Sequence, residues 1–324
     1  MDAKTQKGIM NMTQQNVAAI DLGTNSCRLL IVDGQGKTLY KNAISTRMGE
    51  GMSEHNRFTD EAIKRGVECF CSFKMLMDEY KVEKYRAIAT AACRTAENGA
   101  DFVDLIYRQA NIKLEVINGY EEARLNLLGA MQNVMNEPSK YVVIYDLGGG
   151  STEITLATKD INPQILHTVS IPWGARNSSE KFGLIDYDSQ KAALLANEIN
   201  KYTKDFIRNS KLADYAKDTC FVATSSTPLR LAHLVKGWYP YDRNRADGMK
   251  IDTKELDKAV EIVYKMSADE RAHNSCVGPS RASIFNAAGV IFSQIYHDLG
   301  AKELIASLKS AVDGIVMELQ NGSN

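Results

Sequence analysis

The sequence lacks any apolar run long enough to cross a bilayer, and its polar N-terminus has no apolar segment typical of a secretory signal. We therefore expect a cytoplasmic protein without a membrane partner. An excess of charge is also missing, because 39 Lys and Arg residues balance 40 Asp and Glu residues. A chain with this balance has no bulk attraction to DNA, so no DNA partner is expected and any anionic ligand must be bound by local groups.

Cysteine and histidine patterns typical of disulfides or metal sites are absent too. The six cysteines are scattered without a CxxC pair, and the five histidines are scattered as well. Such thiols are typical of a reducing compartment, and no histidine-based metal site is predicted. The 324 residues exceed what one hydrophobic core usually holds, so two domains are expected.

An internal repeat of strand, glycine turn and strand is the strongest positive feature. The segment VAAIDLGTNSCRLLIV recurs as YVVIYDLGGGSTEITLA, and Asp146 aligns with Asp21 and Gly148 with Gly23 at a constant offset of 125 residues. Repeated units of this size predict two similar domains that face each other across a cleft.

The repeat divides the chain into two predicted domains, residues 17–136 and 137–307, after a disordered tail over residues 1–16. Each hairpin is followed by helical and strand patterns, which predicts an α/β fold with mixed sheets and flanking helices. A final helix near 308–320 is expected to return to the first domain.

The glycine turns predict a phosphate site. A strand that ends in glycines presents a row of backbone N–H groups to an anion, and the missing side chains allow close approach. Two such loops facing each other would clamp one phosphate between them. The predicted phosphate-binding residues are Gly23, Thr24, Asn25, Ser26, Gly148, Gly149, Gly150 and Ser151.

Carboxylates beside these loops predict a divalent cation. Asp21 and Asp146 each precede a glycine turn. A carboxylate beside a phosphate normally needs a cation between them, and Mg²⁺ is the usual one. Mg²⁺ (or Mn²⁺) is therefore the expected cofactor; for one loop alone, an aspartate that merely caps the turn is the simpler alternative.

Several segments resemble known protein families. DLGTNSCRLL and DLGGGSTEITL resemble the phosphate loops of the actin, hexokinase and heat-shock ATPase superfamily. ATAACRTAEN, INGYEEARLNLLG and RASIFNAAGVIF resemble, more narrowly, the exopolyphosphatase / guanosine pentaphosphate phosphohydrolase family, over about residues 17 to 320. The resemblance implies two ribonuclease H-like (actin-like ATPase) domains in a short form without the C-terminal helical domain of longer members.

The same resemblance implies three catalytic residues. Glu122, the second glutamate of EEARL, is expected to activate a water. Adjacent helical residues point about 100° apart, so only one of Glu121 and Glu122 can face the cleft. Glu153 is expected beside the water or the metal, which makes it a predicted metal ligand with Asp146 and Asp21. Arg94 is expected to contact phosphoryl oxygens and offset their charge.

Two segments depart from the family pattern, and some charged residues have no firm role. FVATSSTPLR stands where the family usually has a glycine-rich loop, and SLKSAVDG stands where it has GLRxG.

Arg28, Arg281 and Lys309 are candidates for a polyanion path. Trp173 and Trp238 are interpreted as packing residues.

The predicted function is a phosphohydrolase that releases the terminal phosphate of inorganic polyphosphate or the 5'-gamma-phosphate of guanosine pentaphosphate. Both substrates present the same phosphoanhydride, so the sequence does not choose between them. An ATP-dependent kinase of the superfamily would need a glycine loop that VATSSTPLR does not supply. A non-catalytic regulator that binds guanosine tetra- or pentaphosphate is a further alternative function. For the assembly state, a homodimer is considered.

Overall fold

The computed structural model describes residues 15–322, so the predicted disordered tail over residues 1–16 lies outside the described residues except at its last two positions. Asn16 is tied to the first domain, because its side-chain amide donates to the Tyr80 carbonyl at 2.7 Å and its own carbonyl accepts the Glu83 N–H. Within residues 15–322, no helix has both the length and the apolar character needed to cross a membrane.

The first half of the chain forms a five-stranded mixed sheet with flanking helices. Its strands are β1 (Val17–Leu22), β2 (Cys27–Val32), β3 (Thr38–Ile44), β4 (Lys84–Ala89) and β5 (Leu114–Val116). Its helices are α1 (Met52–His55), α2 (Asp60–Glu79), α3 (Ala91–Thr95), α4 (Gly99–Ala110) and α5 (Gly119–Met131). The strand order is β3-β2-β1-β4-β5, with β1, β2 and β3 antiparallel and β4 and β5 parallel to β1. The strand and turn pattern at the start of the chain predicts an antiparallel meander, and β1, β2 and β3 form one.

The second half repeats this plan with a six-stranded sheet. Its strands are β6 (Tyr141–Leu147), β7 (Thr152–Thr158), β8 (Ile165–Ile171), β9 (Thr219–Thr224), β10 (Met249–Asp252) and β11 (Glu303–Ser307). Its helices are α6 (Ala175–Phe182), α7 (Ser189–Ser210), α8 (Leu212–Tyr215), α9 (Ser226–Lys236), α10 (Thr253–Tyr264), α11 (Ala268–His273) and α12 (Phe285–Asp298). The order is β10-β11-β9-β6-β7-β8, so β6, β7 and β9 correspond to β1, β2 and β4. The predicted α/β class, with two similar mixed-sheet domains, is confirmed.

Helix α5 lies between the two sheets, and the last helix, α13 (Ala311–Asn321), packs against it and against β1. Leu125 belongs to the apolar cluster beneath the first sheet, whereas Leu127 belongs to the cluster beneath the second. Glycine allows α5 and α13 to approach closely, since a Cβ on Gly314 would lie 2.1 Å from the Leu125 carbonyl oxygen. The position of α5, which carries Glu122, thus depends on both sheets and on α13.

Candidate active site

The two glycine turns have the same backbone geometry. The Gly23 N–H donates to the Ser26 carbonyl at 3.0 Å, and the Gly148 N–H donates to the Ser151 carbonyl at 3.0 Å. Each turn joins the two strands of its hairpin, β1 to β2 and β6 to β7. The sequence repeat is therefore also a structural repeat of two phosphate-type loops.

The two loops touch each other across the cleft, and this contact explains the run of glycines. A Cβ on Gly149 would lie 3.2 Å from the Asn25 backbone nitrogen, and one on Gly150 would lie 2.5 Å from Thr24 Oγ1. Larger residues at these positions would force the loops apart. The loops line a cavity of about 40 Å³. A cavity needs roughly 10–15 Å³ to hold one water molecule, so this one has room for a small ligand group.

Predicted site residues converge on this loop cavity, which also contains Arg28, Asn126, Ser225 and Arg281. Two predicted catalytic residues, Glu153 and Arg94, do not line it; Glu153 pairs with Asp146 across the hairpin, and Arg94 Nη1 lies 2.9 Å from Glu122 Oε2. The predicted residues that line the cavity are Asp21, Gly23, Thr24, Asn25, Ser26, Glu122, Asp146, Gly148, Gly149, Gly150 and Ser151.

The two hairpins differ in charge at equivalent positions of the repeat. Asp21 lies opposite Arg28 in the first hairpin, and Arg28 Nη1 lies 2.8 Å from Asp21 Oδ2. Asp146 lies opposite Glu153 in the second. Asp146 Oδ2 instead accepts from Asn126 Nδ2 at 2.8 Å. The first aspartate therefore has a counterion and the second has only a neutral donor.

Glu122 and Glu121 point in different directions from the first turn of α5. Glu122 is buried, and its Oε2 lies 2.9 Å from Arg94 Nη1, which also donates to the Ile117 carbonyl. Burial raises the pKa of Glu122 well above its usual range, and the nearby Glu153 raises that pKa further while Arg94 opposes the shift. Glu121 instead accepts from Arg86 at 2.9 Å and also binds Arg124.

Glu153 is buried with one oxygen unsatisfied. Its Oε1 accepts from the Ser170 hydroxyl at 2.8 Å, whereas Oε2 has no hydrogen-bond partner among the described residues. Burial raises the pKa of Glu153 to about 7, and the neighbouring Asp146 adds to the shift. A buried carboxylate in this setting favours a bound proton or a bound cation.

The predicted metal ligands do not form a complete protein cage. Within residues 15–322, no three Asp, Glu, His or Cys side chains are arranged to hold a metal ion. Asp21 is already paired with Arg28. Asp146 and Glu153 remain as the carboxylates without a cationic hydrogen-bond partner, so the Mg²⁺ (or Mn²⁺) site stays a prediction.

A second cavity, which we call the basic cavity, adjoins the loop cavity and has a volume of about 240 Å³. Burial lowers the pKa of Arg281 to about 9, and the nearby cations Arg230 and Arg28 lower it further. Five cationic side chains line the basic cavity: Arg28, Lys41, Arg230, Arg243 and Arg281.

Sequence reasoning located only part of the basic cavity. Arg28 and Arg281 line it as suggested, but Lys309 does not and lies 3.7 Å from Asp313. Lys41, Arg230 and Arg243 were missed as a group, because they lie far apart in the chain and each resembles an ordinary surface charge. Only the meeting of the two domains brings them together.

The loop after β9 keeps a conformation that glycine favours although it contains none. Ser225 has φ 91° and ψ −173°, a region that almost only glycine occupies. Its hydroxyl accepts from the Thr227 N–H and so caps α9. Ser225 and Ser226 line both the loop cavity and the basic cavity. The segment that departs from the family's glycine-rich pattern thus forms a strained turn whose serines line both cavities.

Two mixed-sheet domains with paired glycine loops define the actin-like fold class. The sequence profile of the Ppx/GppA phosphatase family matches residues 30–321, so the chain belongs to the Ppx/GppA phosphatase family. The family resemblance inferred from the motifs is thereby confirmed.

Curated relatives agree with this assignment. Exopolyphosphatase 2 of Mycobacterium tuberculosis is 26% identical over 324 residues, which cover 95% of this chain and 99% of that protein. A bifunctional 3-dehydroquinate synthase/phosphatase of Fusobacterium nucleatum is 25% identical over 314 residues. The match covers 93% of this chain but 46% of the length of the Fusobacterium protein.

Solved structures match over nearly the whole chain. An exopolyphosphatase-like protein superposes with a TM-score of 0.87 at 25% identity, covering 95% of this chain and 99% of that one. The Ppx/GppA family member of Aquifex aeolicus superposes with a TM-score of 0.76 at 24% identity, with 96% and 99% coverage. These matches confirm the two-domain fold.

Proposed function

We propose that the protein is an exopolyphosphatase, which hydrolyses the terminal phosphoanhydride of inorganic polyphosphate. The observation that carries this proposal is the basic cavity, which shares Arg28, Arg281 and Ser225 with the loop cavity. A terminal phosphate held between the two glycine loops would place the next phosphates beside these guanidinium groups. Arginine binds phosphate oxygens with two N–H groups at once, which suits such a chain.

The basic cavity suits phosphates better than a purine. Tyr241 is its only aromatic lining residue among those described, and two side chains already pack against its ring. The Arg230 guanidinium lies 4.2 Å from the Tyr241 ring centroid, and His233 packs edge-on at 4.9 Å. Tyr241 therefore offers no free platform for the base of guanosine pentaphosphate. The names of the relatives, among them exopolyphosphatase 2, support the same substrate.

In the proposed reaction, Glu122 accepts a proton from the attacking water. Its raised pKa makes it a stronger base than an ordinary glutamate. Arg94 Nη1 lies 2.9 Å from Glu122 Oε2 and orients this carboxylate, and we propose that the same guanidinium contacts the phosphoryl oxygens. The N–H groups of Gly149 and Gly150 would face the negative charge that spreads over those oxygens in the transition state. The Gly148 N–H instead closes the loop by donating to the Ser151 carbonyl.

We further propose that Mg²⁺ or Mn²⁺ is held by Asp146 and Glu153 together with substrate phosphates. The unsatisfied Glu153 Oε2 and the all-oxygen donors fit such an ion. Mg²⁺ commonly takes only one or two protein carboxylates, so a complete cage is not needed. When bound, the cation would neutralise charge on the phosphates.

The test measures phosphate release from long polyphosphate, short polyphosphate and guanosine pentaphosphate at matched concentration with Mg²⁺. We expect polyphosphate to have the highest kcat/KM, and chelation to abolish release. Arg281→Ala should raise KM for polyphosphate by about tenfold or more, since a hydrogen bond to a charged group contributes about 1.5–3 kcal/mol.

Arg208→Ala is the matched control, because Arg208 is exposed on α7 and pairs only locally with Asp205. A clear preference for guanosine pentaphosphate would overturn the choice of substrate. Tight binding of guanosine tetra- or pentaphosphate without any phosphate release would instead support the regulator.

A further inference from the structure

A third cavity, which we call the Trp173 cavity, lies beside the phosphate loops and has a volume of about 380 Å³. Thr24, Gly150 and Ser151 form its wall toward the loops. Its other walls include Met52, Asn56, Ala92, Arg94, Trp173 and Lys181. Apolar and hydrogen-bonding side chains are mixed there, and its two cationic side chains, Arg94 and Lys181, are fewer than the five of the basic cavity.

The loop cavity separates the Trp173 cavity from the basic cavity. It shares Arg28 and Arg281 with the basic cavity and Gly150 and Ser151 with the Trp173 cavity. Among the described residues, the two outer cavities have no lining residue in common. In an in-line phosphoryl transfer, nucleophile and leaving group lie on opposite sides of phosphorus. If polyphosphate leaves through the basic cavity, the nucleophile comes from the Trp173 side.

Both active-site glutamates are connected to this side through residues of its wall. Arg94 lines the Trp173 cavity and contacts Glu122, while Ser170 lines it and donates to Glu153. The proposed base therefore lies where a nucleophile entering from the Trp173 cavity would meet the terminal phosphate.

The Trp173 cavity is far larger than a water molecule requires. Water occupies about 30 Å³ in the liquid, so the cavity has room for an acceptor of nucleoside size. Sites for such ligands are typically about 300–1,000 Å³ and combine apolar walls with a few polar groups. Trp173 supplies an aromatic wall and is held by an edge-on contact with Phe182 at 5.2 Å. Asn56 and Lys181 supply polar groups.

We propose that the Trp173 cavity binds a hydroxyl-bearing acceptor with a planar ring, of the nucleoside class, and that the protein transfers the terminal phosphoryl group to it as well as to water. This inference rests on the proposed polyphosphate hydrolysis. The acceptor oxygen forms a bond to phosphorus as the bridging P–O bond breaks. Glu122 takes the hydroxyl proton, and the shortened polyphosphate leaves with the bond's electron pair.

Acceptor binding is tested without turnover by intrinsic fluorescence, since the chain has two tryptophans. In Trp238→Phe, Trp173 is the sole reporter, and guanosine or adenosine should quench it with saturation. In Trp173→Phe, Trp238 is the sole reporter and should show no saturable change. If the two variants respond equally, or if neither responds, the acceptor site is overturned. This conclusion does not depend on whether polyphosphate is the substrate.

Transfer is tested by incubating polyphosphate, Mg²⁺ and either nucleoside, with phosphorylated nucleoside and free phosphate quantified by anion-exchange chromatography. We expect phosphorylated nucleoside to form at the expense of free phosphate. Trp173→Ala should lower its yield about tenfold, as expected for loss of an aromatic contact. Phosphate release to water should fall much less than nucleoside phosphorylation, because Trp173 hydrogen-bonds Thr152 of the second hairpin through its backbone carbonyl, which the substitution keeps.

The remaining outcomes separate the two proposals. Nucleosides that slow phosphate release without being phosphorylated would show that Trp173 marks an inhibitory site, which overturns transfer. Phosphate release with no nucleoside product and no effect of nucleoside would overturn the acceptor site and leave the exopolyphosphatase proposal standing. Saturable quenching of Trp173 without any cleavage of polyphosphate would refute the proposed substrate and, with it, polyphosphate-dependent transfer.

Discussion

At the scale of single residues, Arg28 and Glu153 occupy equivalent places in two otherwise matching hairpins. Asp21 is neutralised by Arg28, whereas Asp146 faces Glu153 and accepts a hydrogen bond from the neutral Asn126 side chain. Negative charge is therefore concentrated on the second hairpin. The aligned repeat already contains this difference, so the location of the charge imbalance can be predicted from the sequence. Its effect on pKa depends on burial, which the sequence does not specify.

The role of Glu122 is tested by Glu122→Gln, which keeps the side-chain shape and removes the basic oxygen. General-base catalysis typically contributes about 10²- to 10⁴-fold to the rate, so kcat should fall by that range while KM changes little. Steady-state phosphate release gives both constants. In the parent protein, kcat/KM should fall as the pH drops through the raised pKa of Glu122, because the protonated carboxyl cannot accept a proton.

Glu121→Gln is the matched control for Glu122→Gln. Glu121 binds Arg86 and Arg124 on the outer side of α5, so its substitution should lower stability slightly and leave kcat near the parent value. If Glu121→Gln abolishes turnover and Glu122→Gln does not, the base has been assigned to the wrong carboxylate.

Burial of Glu153 predicts a pH-dependent gain of stability in Glu153→Gln. The pKa in the folded state is about 7, above the ordinary value of 4.5, so the folded protein loses stability as the pH rises between these values. At pH 8 without metal, the Gln variant should be more stable by about 3 kcal/mol. Near pH 4 the difference should vanish, because the parent carboxyl is then protonated in both states.

Urea unfolding at pH 4 and pH 8 measures this difference in the free energy of unfolding. Glu68→Gln, at an exposed position on α2, provides a control that should shift neither value. An equal gain for Glu153→Gln at both pH values would show that the effect does not come from ionisation.

At the scale of elements, α5 explains why some helices are harder to predict than others. The pattern predicts a helix over residues 120–135, and α5 ends at Met131. Both sides of α5 are buried, so it lacks the single apolar stripe of a surface helix. The sequence analysis predicts no helix after FVATSSTPLR, whereas α9 begins at Ser226 with Pro228 in its first turn, where proline is well tolerated.

The close contact of α13 and α5 predicts a strong effect of Gly314→Ala. The added methyl would lie 2.1 Å from the Leu125 carbonyl oxygen, so the helices must separate. Overpacking of this kind typically costs about 1–3 kcal/mol. Because α5 carries Glu122 and Asn126, kcat should fall as well. Chemical denaturation and phosphate release measure the two effects.

Asn321→Ala, exposed at the end of the same helix, is the control and should change the free energy of unfolding by less than about 0.5 kcal/mol. Parent-like stability of Gly314→Ala would mean that the two helices can shift without loss.

At the scale of the whole molecule, the sequence repeat predicts two domains and a cleft, and the structure has both. The composition of the basic cavity was not predictable in the same way. Lys41 comes from β3, Arg230 from α9 and Arg243 from the loop before β10, and no local pattern marks them. Such groups become a site only when separate elements meet. Glycine loops and EEARL, by contrast, carry their chemistry within a few consecutive residues.

Arginine side chains of the second domain donate hydrogen bonds to the first domain next to the loops. Arg176 Nε donates to Asn25 Oδ1 at 3.1 Å, and Arg243 Nη2 donates to the Lys41 carbonyl at 2.9 Å. Asn25 therefore contacts the opposite domain in addition to its predicted place at the phosphate. With the two glycine loops in contact, this arrangement is a closed form of the cleft.

Closure should therefore depend on Arg176 when no phosphate is bound. Removing a hydrogen bond from a charged group costs about 1.5–3 kcal/mol, so Arg176→Ala should open the cleft and increase the radius of gyration measured by small-angle scattering. A non-hydrolysable polyphosphate analogue should contact both loops and favour the closed form, so at saturation it should return the variant to the parent value.

The equilibrium between the open and the closed cleft also predicts the kinetics of Arg176→Ala. KM should rise more than kcat falls, because part of the binding energy of the substrate is used to close the cleft. Arg208→Ala, far from the cleft on α7, should match the parent throughout. Identical scattering of Arg176→Ala and parent, with and without analogue, would show that the loops meet without help from this contact.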